Sequence, residues 1–220
     1  MPKKLALIST DLGVANELKN KVNKLESDID TYNYVDDTIV SRIMNNQNKL
    51  NSKIIKSVVM EVISAEKAGA DLILITCSSI SEVVDIVQPL VDVPVLKIDQ
   101  PMANKAVENH SKIGVIATLQ TTIRPTIKLV KNTAQLKEKN IEILDTVCEG
   151  AFEILTEKND PETHDKIVQD AIKNTAKRAD VIILAQASMA RAVNNISVDI
   201  PVLTSPESGL KNAINILKNK

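Results

Sequence analysis

Short runs of apolar residues recur along the chain and predict the strands of parallel β-sheets. The runs are rich in isoleucine, valine and leucine, with little alternation between polar and apolar positions. Such runs are typical of strands that are buried on both faces. The predicted strands are Lys4–Ser9, Asp30–Val35, Leu72–Thr76, Val93–Leu96, Lys112–Ala117, Ile141–Val147, Val181–Ala185 and Ile200–Leu203, and the second is the weakest pattern.

Between these runs, apolar residues recur with the spacing of one helix face. The segment Lys67–Gly69 supplies a cation and then a glycine, which is typical of the end of a helix. Strands that alternate with helices predict βαβ units, in which right-handed crossovers join parallel strands. The clearest helical stripes are Ile54, Val58, Val62 and Ala65 in the first half, and Ile167, Ala171, Ile172 and Ala176 in the second.

Three segments of the first half recur in the same order in the second half. The matched segments are separated by nearly the same number of residues, which chance seldom produces. An internal duplication therefore accounts for the pattern. The residues that anchor the three matches are Lys4 with Lys112, Asp71 with Asp180 and Asp92 with Asp199.

The duplication predicts an α/β protein built from two similar halves. We expect each half to be a doubly wound parallel sheet of the flavodoxin-like kind, and the two halves to be related by a pseudo-two-fold axis. The repeat places the halves at residues 1–109 and 110–220, with the terminal helix free to pack back on the first half.

Composition and charge exclude several classes of function. The 220 residues are 44% apolar and carry a net charge of −1, and three of them are aromatic. A net charge near zero removes the attraction that dominates binding to duplex DNA, and so few rings cannot stack single-stranded bases. No apolar run approaches the roughly 20 residues that cross a bilayer. We therefore expect no nucleic-acid or membrane partner.

The cysteine, glycine and histidine patterns bear on location and cofactors. Two cysteines without a CxxC pair favour a reducing, cytoplasmic setting. The five glycines form neither of the loops that bind dinucleotides or nucleoside triphosphates. The two histidines lack the spacing of a zinc site. We expect neither a cofactor nor a metal.

The candidate site follows from the predicted sheets, because ligands of open parallel sheets bind beyond the carboxyl ends of the strands. The residues that directly follow the predicted strands are rich in hydroxyl groups. Two of these segments, after the third and fifth strands, are predicted to open helices whose N–H groups attract anions. The predicted substrate-binding residues are Thr10, Asp11, Asp36, Thr76, Ser78, Ser79, Thr118, Thr121, Thr122, Gln186, Ala187 and Ser188.

Three residues are candidates for acid–base chemistry. Cys77 lies in the turn between a predicted strand and helix, where a thiolate is stabilised. Cys148 follows the sixth strand and is either a second functional thiol or a small buried residue. His164 is predicted in the first turn of a helix, either on the surface or as an acid–base group.

These residues resemble the aspartate/glutamate/hydantoin racemase superfamily over nearly the whole chain. The resemblance rests on the duplicated halves and on the Thr-Cys-Ser-Ser turn at residues 76–79. More closely, the chain is similar to a bacterial branch of racemase-like proteins with three characteristic segments. These are Ala117–Thr122, Cys148–Phe152 and Leu184–Met189.

The resemblance implies cysteine acid–base chemistry at the carbon α to a carboxylate of a small amino acid or related acid. In that superfamily two cysteines, one from each half, act on opposite faces of the substrate carbon without a cofactor, and members are often homodimers. Cys77 matches the first cysteine, but the repeat places Gln186 at the second. A carboxamide cannot exchange a proton near pH 7.

Three interpretations follow from this substitution. In the first, Cys148 or His164 replaces the second cysteine and the protein is a racemase or isomerase. In the second, Cys77 acts alone, as a one-sided proton donor in a decarboxylase or as a nucleophile in a cis–trans isomerase, while Gln186 and Ser188 bind the substrate carbonyl. In the third, the protein binds a small carboxylate without turning it over.

Overall fold

A computed structural model describes residues 2–219 as two compact units. The first unit runs to Ile98 and includes the segment from Pro206 onwards, and the second spans Asp99–Ser205. In the described residues each unit contains one four-stranded parallel sheet with helices on both faces. The predicted fold class is confirmed.

The first sheet has the strand order β2-β1-β3-β4. All of its neighbouring strands are parallel, so the connections between them are crossovers. Its elements are β1 (Lys3–Ser9), α1 (Leu12–Leu25), β2 (Ile29–Val35), α2 (Ile39–Asn45), α3 (Ser52–Lys67), β3 (Leu72–Ile75), α4 (Val83–Val87) and β4 (Val95–Lys97), with 3-10 turns at Ser78–Ile80 and Gln88–Leu90.

The second sheet repeats this order as β6-β5-β7-β8. Its strands are again all parallel. The elements are α5 (Gln100–Asn109), β5 (Lys112–Ala117), α6 (Gln120–Leu136), β6 (Glu142–Val147), α7 (Ala151–Thr156), α8 (Pro161–Ala176), β7 (Val181–Leu184), a 3-10 segment at Ala187–Asn195, β8 (Val202–Thr204) and α9 (Ser205–Lys218), which returns to the first unit.

The central strands are apolar throughout because both of their faces are covered. In β1, Ala6 and Ile8 pack into the core on the α3 side, whereas Leu5 and Leu7 pack into a second cluster on the opposite face. Successive side chains of a strand point to opposite faces. An uninterrupted apolar run is therefore what a sheet covered by helices on both faces requires.

The last helix completes the core of the first unit. Leu210, Ala213 and Leu217 of α9 are fully buried in the same cluster as Leu5 and Leu7. Conversely, α5 belongs to the core of the second unit. The compact units are therefore offset by one helix from the sequence halves 1–109 and 110–220.

Polar caps fix where the main crossover helices begin. The Asn51 side chain accepts hydrogen bonds from two backbone N–H groups at the start of α3, and Asp160 accepts one from Thr163 at the start of α8. Gly69 follows α3 with a φ of 85°, which favours glycine. Within residues 2–219, no helix is both long and apolar enough to span a bilayer.

Candidate active site

Hydroxyl groups at the carboxyl end of the first sheet hydrogen-bond to one another. Thr76 Oγ1 donates to the Ile8 carbonyl at 3.1 Å and lies 2.7 Å from Ser9 Oγ. Because the Thr76 proton is used on Ile8, the Ser9 hydroxyl donates to Thr76. Thr10, a predicted substrate-binding residue, is buried directly after β1. These bonds fix the ends of β1 and β3 to each other.

Cys77 is the half-exposed residue of a turn that is otherwise buried. Thr76 precedes it, Ser78 and Ser79 follow it, and all three are buried. The Cys77 backbone is extended, with φ −117° and ψ 121°, and it precedes the 3-10 turn. Its side chain contacts the edge of the apolar core beneath the turn. The Cys77 thiol therefore lies at the surface of a turn whose neighbouring side chains are buried.

The helix that the sequence predicts to open at residues 76–79 is short and begins as a 3-10 turn. The chain forms the three-residue 3-10 turn Ser78–Ile80 and then the five-residue helix α4. A helix dipole builds up over several aligned turns, and pieces this short supply little of it. The helix dipole therefore gives little support to the predicted anion site at this turn, and the site stays a prediction.

Two predicted aspartates are engaged in local structure. Asp11 Oδ1 accepts the Val14 N–H at 2.7 Å and caps α1. Asp36 accepts hydrogen bonds from the backbone and side chain of Thr38 and forms an ion pair with Arg42 at 3.3 Å. These contacts explain both carboxylates as supports of helix starts, and their binding roles stay predictions.

Glu61, on α3, is a titratable residue that the sequence analysis missed. Its Oε2 atom is buried without a hydrogen-bond partner among the described residues. Burial, and secondarily the charge of Asp36, raises the pKa of Glu61 to about 7. In sequence it sits among the apolar stripe of α3 and looks like an ordinary helix-surface glutamate. Only the packing of α3 reveals it.

Gln186 and Thr118 bridge the carboxyl ends of β7 and β5 in the second unit. Gln186 Oε1 accepts the Thr118 backbone N–H at 2.6 Å and the Thr118 hydroxyl at 3.0 Å. Because a backbone N–H needs an acceptor, these bonds assign the oxygen of the carboxamide and direct its NH₂ group elsewhere. Gln186 therefore presents two N–H donors at the edge of this sheet.

Gln186 is the structural counterpart of Cys77. Each residue follows a fully buried four-residue strand by two positions and precedes a 3-10 segment. The Gln186 backbone has φ −130° and ψ 142°, close to the values of Cys77. The equivalence that the sequence repeat predicts for these two positions is thus matched by their local backbone geometry.

The other predicted residues of the second unit differ in exposure. Thr121 and Thr122 are buried in the first turn of α6, a helix of 17 residues. Ala187 and Ser188 are half-buried and begin the 3-10 segment that follows Gln186. Of these four, Ala187 and Ser188 are the more accessible to a ligand at this edge.

Cys148 is buried after β6 in an apolar cluster that includes Ile116 and Leu184. Burial raises the pKa of its thiol to about 11. It lies at one end of a groove of about 510 Å³ between β6 and α8, but only 5% of its surface is exposed. A protonated, covered thiol is a poor proton acceptor at neutral pH.

His164 is fully buried in the first turn of α8, so the alternative of a surface residue is wrong. Its Nδ1 lies 2.7 Å from Asp165 Oδ1, and its Nε2 has no hydrogen-bond partner among the described residues. Asp165 also binds Arg191 through two nitrogens, at 3.2 and 3.3 Å. Burial alone raises the pKa of Asp165, but hydrogen bonds from Arg191 and His164 outweigh it and lower that pKa. The imidazole therefore donates its Nδ1 proton to a carboxylate.

Within residues 2–219, no three histidine, cysteine, aspartate or glutamate side chains are grouped so as to hold a metal ion. Cys77 and Cys148 are both reduced cysteines rather than halves of a disulfide. The described candidate site residues carry thiol, hydroxyl, carboxylate, carboxamide and imidazole groups.

Solved structures of several racemases share this fold. The chain superposes on glutamate racemase from Francisella tularensis subsp. tularensis SCHU S4, determined in complex with D-glutamate, with a TM-score of 0.75, 17% identity and coverage of 99% of this chain and 81% of that one. The aspartate racemase of Picrophilus torridus superposes with a TM-score of 0.73 and 16% identity, over 98% of this chain and 94% of that one. The allantoin racemase of Klebsiella pneumoniae superposes with a TM-score of 0.66 and 13% identity, over 99% of this chain and 88% of that one.

The sequence itself gives a family assignment. No functionally curated protein matches the chain significantly. The model of the family described as Asp/Glu/Hydantoin racemase matches residues 14–213, which is most of the chain. The chain therefore belongs to the Asp/Glu/hydantoin racemase family.

Proposed function

We propose that this protein is an enzyme that transfers a proton at the carbon α to the carboxylate of a small amino acid or related acid, with Cys77 as the acid–base group. Its family supports a racemase or isomerase type of activity. The observation that carries the proposal is the half-exposed Cys77 thiol at the carboxyl end of β3, framed by the buried hydroxyl residues Thr76, Ser78 and Ser79.

The proposed step balances as a proton transfer. The Cys77 thiolate takes the α-hydrogen, and the electron pair of the C–H bond moves into an enolate of the carboxylate. Donors around the carboxylate stabilise the charge that develops there. The carbon then takes a proton either back from the Cys77 thiol, which restores the thiolate, or from a second acid on the opposite face, after which Cys77 releases its proton to solvent.

Inversion of the carbon requires a second acid–base group on the opposite face. Gln186 cannot serve, because a carboxamide neither gains nor loses a proton near neutral pH. Cys148 and His164 are the predicted alternatives, and both are buried. The raised pKa of Cys148 further disfavours it. A paired-base racemase is therefore the less well supported form of the proposal.

One-sided chemistry is the second candidate, and the anchored carboxamide of Gln186 favours it. Because Thr118 holds Oε1, the NH₂ group of Gln186 is available to donate to a substrate carbonyl or enolate oxygen. Cys77 would then protonate the carbanion left by loss of CO₂. As a nucleophile it would instead add to a double bond, permit rotation and leave again.

A panel of small amino and dicarboxylic acids in deuterated buffer tests the proposal. Proton NMR detects loss of the α-proton signal, and chiral chromatography detects inversion. We expect exchange that Cys77→Ser abolishes; a full rate in this variant would refute the role of Cys77. Exchange without inversion would favour one-sided chemistry, and binding without exchange, decarboxylation or isomerisation across the panel would indicate a carboxylate-binding protein.

Gln186→Cys provides a gain-of-function test of the same proposal. This substitution restores a thiol at the position that matches Cys77 in the second unit. If Gln186 is what prevents inversion, the variant should increase the ratio of inversion to exchange. The variant Gln186→Ser is the matched control, because it also removes the bonds to Thr118 but supplies no comparable acid.

A further inference from the structure

The 3-10 segment Ala187–Asn195 directly follows Gln186 and is tied to α8 by polar contacts. Arg191 binds both carboxylate oxygens of Asp165, at 3.3 Å from Nε and 3.2 Å from Nη2. Gln169 Nε2 donates to the Ala192 carbonyl at 3.1 Å. A planar guanidinium that binds two oxygens fixes direction as well as distance.

The carboxylate in this contact is itself held from the other side. Asp165 Oδ1 accepts the Nδ1 proton of His164, whose ring is fully buried and cannot turn towards solvent. The Asp165 side chain is 22% exposed, whereas that of Arg191 is 49% exposed. His164 and Asp165 therefore form the rigid side of the contact, and Arg191 is the member that the 3-10 segment brings to it.

The stretch from Gln186 to Arg191 is consequently held at both of its ends. Thr118 holds the side chain of Gln186 at the start, and α8 holds Arg191 five residues later. Between them, Met189 is buried in the apolar cluster on α8, while Ser188 stays half-buried. A 3-10 helix repeats every three residues, so Ser188 and Arg191 lie on the same side of the segment.

We infer that Asp165 and Arg191 are positioning residues, which hold the stretch from Gln186 to Ser188 in the orientation that binds a substrate oxygen. His164 serves this arrangement by fixing Asp165. The catalytic consequence of this inference rests on the proposed function. The claim that the contact between Asp165 and Arg191 holds the 3-10 segment in place does not depend on turnover. Donors that are positioned in advance have less freedom to lose when the substrate binds, and this strengthens binding.

Hydrogen–deuterium exchange of the whole protein tests the claim that this contact holds the 3-10 segment. Arg191→Met and Asp165→Asn should accelerate backbone exchange within residues 187–195 by about three- to fivefold, the upper range for a partly exposed ion pair. Arg191→Lys keeps the charge but not the double contact, and it should restore part of the protection. Unchanged exchange in both Arg191→Met and Asp165→Asn would overturn the inference.

A matched control lies on the same helix. Asp170 and Lys173 form an ion pair within α8 at 3.9 Å, with both side chains exposed. Asp170→Asn removes a carboxylate from α8 without touching the 3-10 segment, so exchange at 187–195 should not change. An equal acceleration in this variant would mean that general loosening of α8 is responsible, and it would also overturn the inference.

Kinetics then test the catalytic consequence, on whichever acid exchanges its α-proton fastest. Arg191→Met should raise KM about three- to fivefold while kcat changes less than twofold, because binding donors are misplaced and Cys77 is untouched. A change in kcat alone would overturn the assignment as a positioning residue for binding. If no acid exchanges its α-proton, the proposed function fails. Backbone hydrogen–deuterium exchange still decides whether the contact between Asp165 and Arg191 holds the 3-10 segment.

Discussion

The buried carboxyl of Glu61 makes the stability of the first unit depend on pH. Burial, with Asp36 as a weaker cause, raises the pKa of Glu61 from 4.5 to about 7. The folded protein therefore keeps this proton up to about pH 7, whereas the unfolded chain loses it above about pH 4.5. Unfolding releases a proton in that window, so stability falls as pH rises through it. Glu61→Gln removes the effect.

The size of the effect follows from the shift. One pKa unit corresponds to about 1.4 kcal/mol, so the full shift would amount to about 3 kcal/mol. The Glu61 side chain is only partly buried, and solvent screening reduces the contribution. We expect Glu61→Gln to be more stable than the unmodified protein by about 1–2 kcal/mol at pH 8 and nearly equal to it at pH 4.5.

Urea unfolding at several pH values between 4.5 and 8 measures this difference. The only two tyrosines, Tyr32 and Tyr34, lie on β2 and there is no tryptophan, so tyrosine fluorescence reports the first unit. Tyr32 donates to the Ala65 carbonyl of α3, the helix that carries Glu61. Glu17→Gln, at an exposed position of α1, is the control and should track the unmodified protein within about 0.5 kcal/mol. A pH-independent difference for Glu61→Gln would refute the reasoning.

Two further predictions concern thiol reactivity and packing. A short treatment with iodoacetamide at pH 7.5 should modify Cys77 well before the buried Cys148, whose pKa is raised to about 11; equal labelling by mass spectrometry would contradict this. Gly209→Ala would place a Cβ 2.3 Å from the Ile98 carbonyl oxygen and should cost at least about 2 kcal/mol in the first unit, measured by urea unfolding. Gly13→Ala, with its nearest contact at 3.2 Å to a side-chain atom, should be far milder.

The strands were predictable because their chemistry is local and repeated. Each predicted strand corresponds to an observed one, and Lys112–Ala117 has the predicted bounds. The strand predicted at Val93–Leu96 begins two residues later, at Val95, after Pro94. Proline lacks the N–H that a sheet requires, so it delays the strand. Apolar runs identify a buried strand well but not its ends.

The candidate site was predictable only in part, because several of its properties depend on distant contacts. The hydroxyl-rich edge and the match of Cys77 with Gln186 follow from strand ends and the repeat. The burial of His164 does not, since it depends on the elements that pack against α8. The elevated pKa of Glu61 likewise depends on packing that no local pattern encodes. Sequence gives the positions of such groups, and tertiary contacts set their protonation.

The return of α9 to the first sheet has a consequence for folding on the ribosome. Leu210, Ala213 and Leu217 cover one face of that sheet, yet they are synthesised after every residue of the second unit. The second unit can therefore complete its core while the face of the first sheet around Leu5 and Leu7 is still only partly covered, which favours chaperone binding. The rate at which the chain is translated through α9 then sets how long this apolar face stays partly covered.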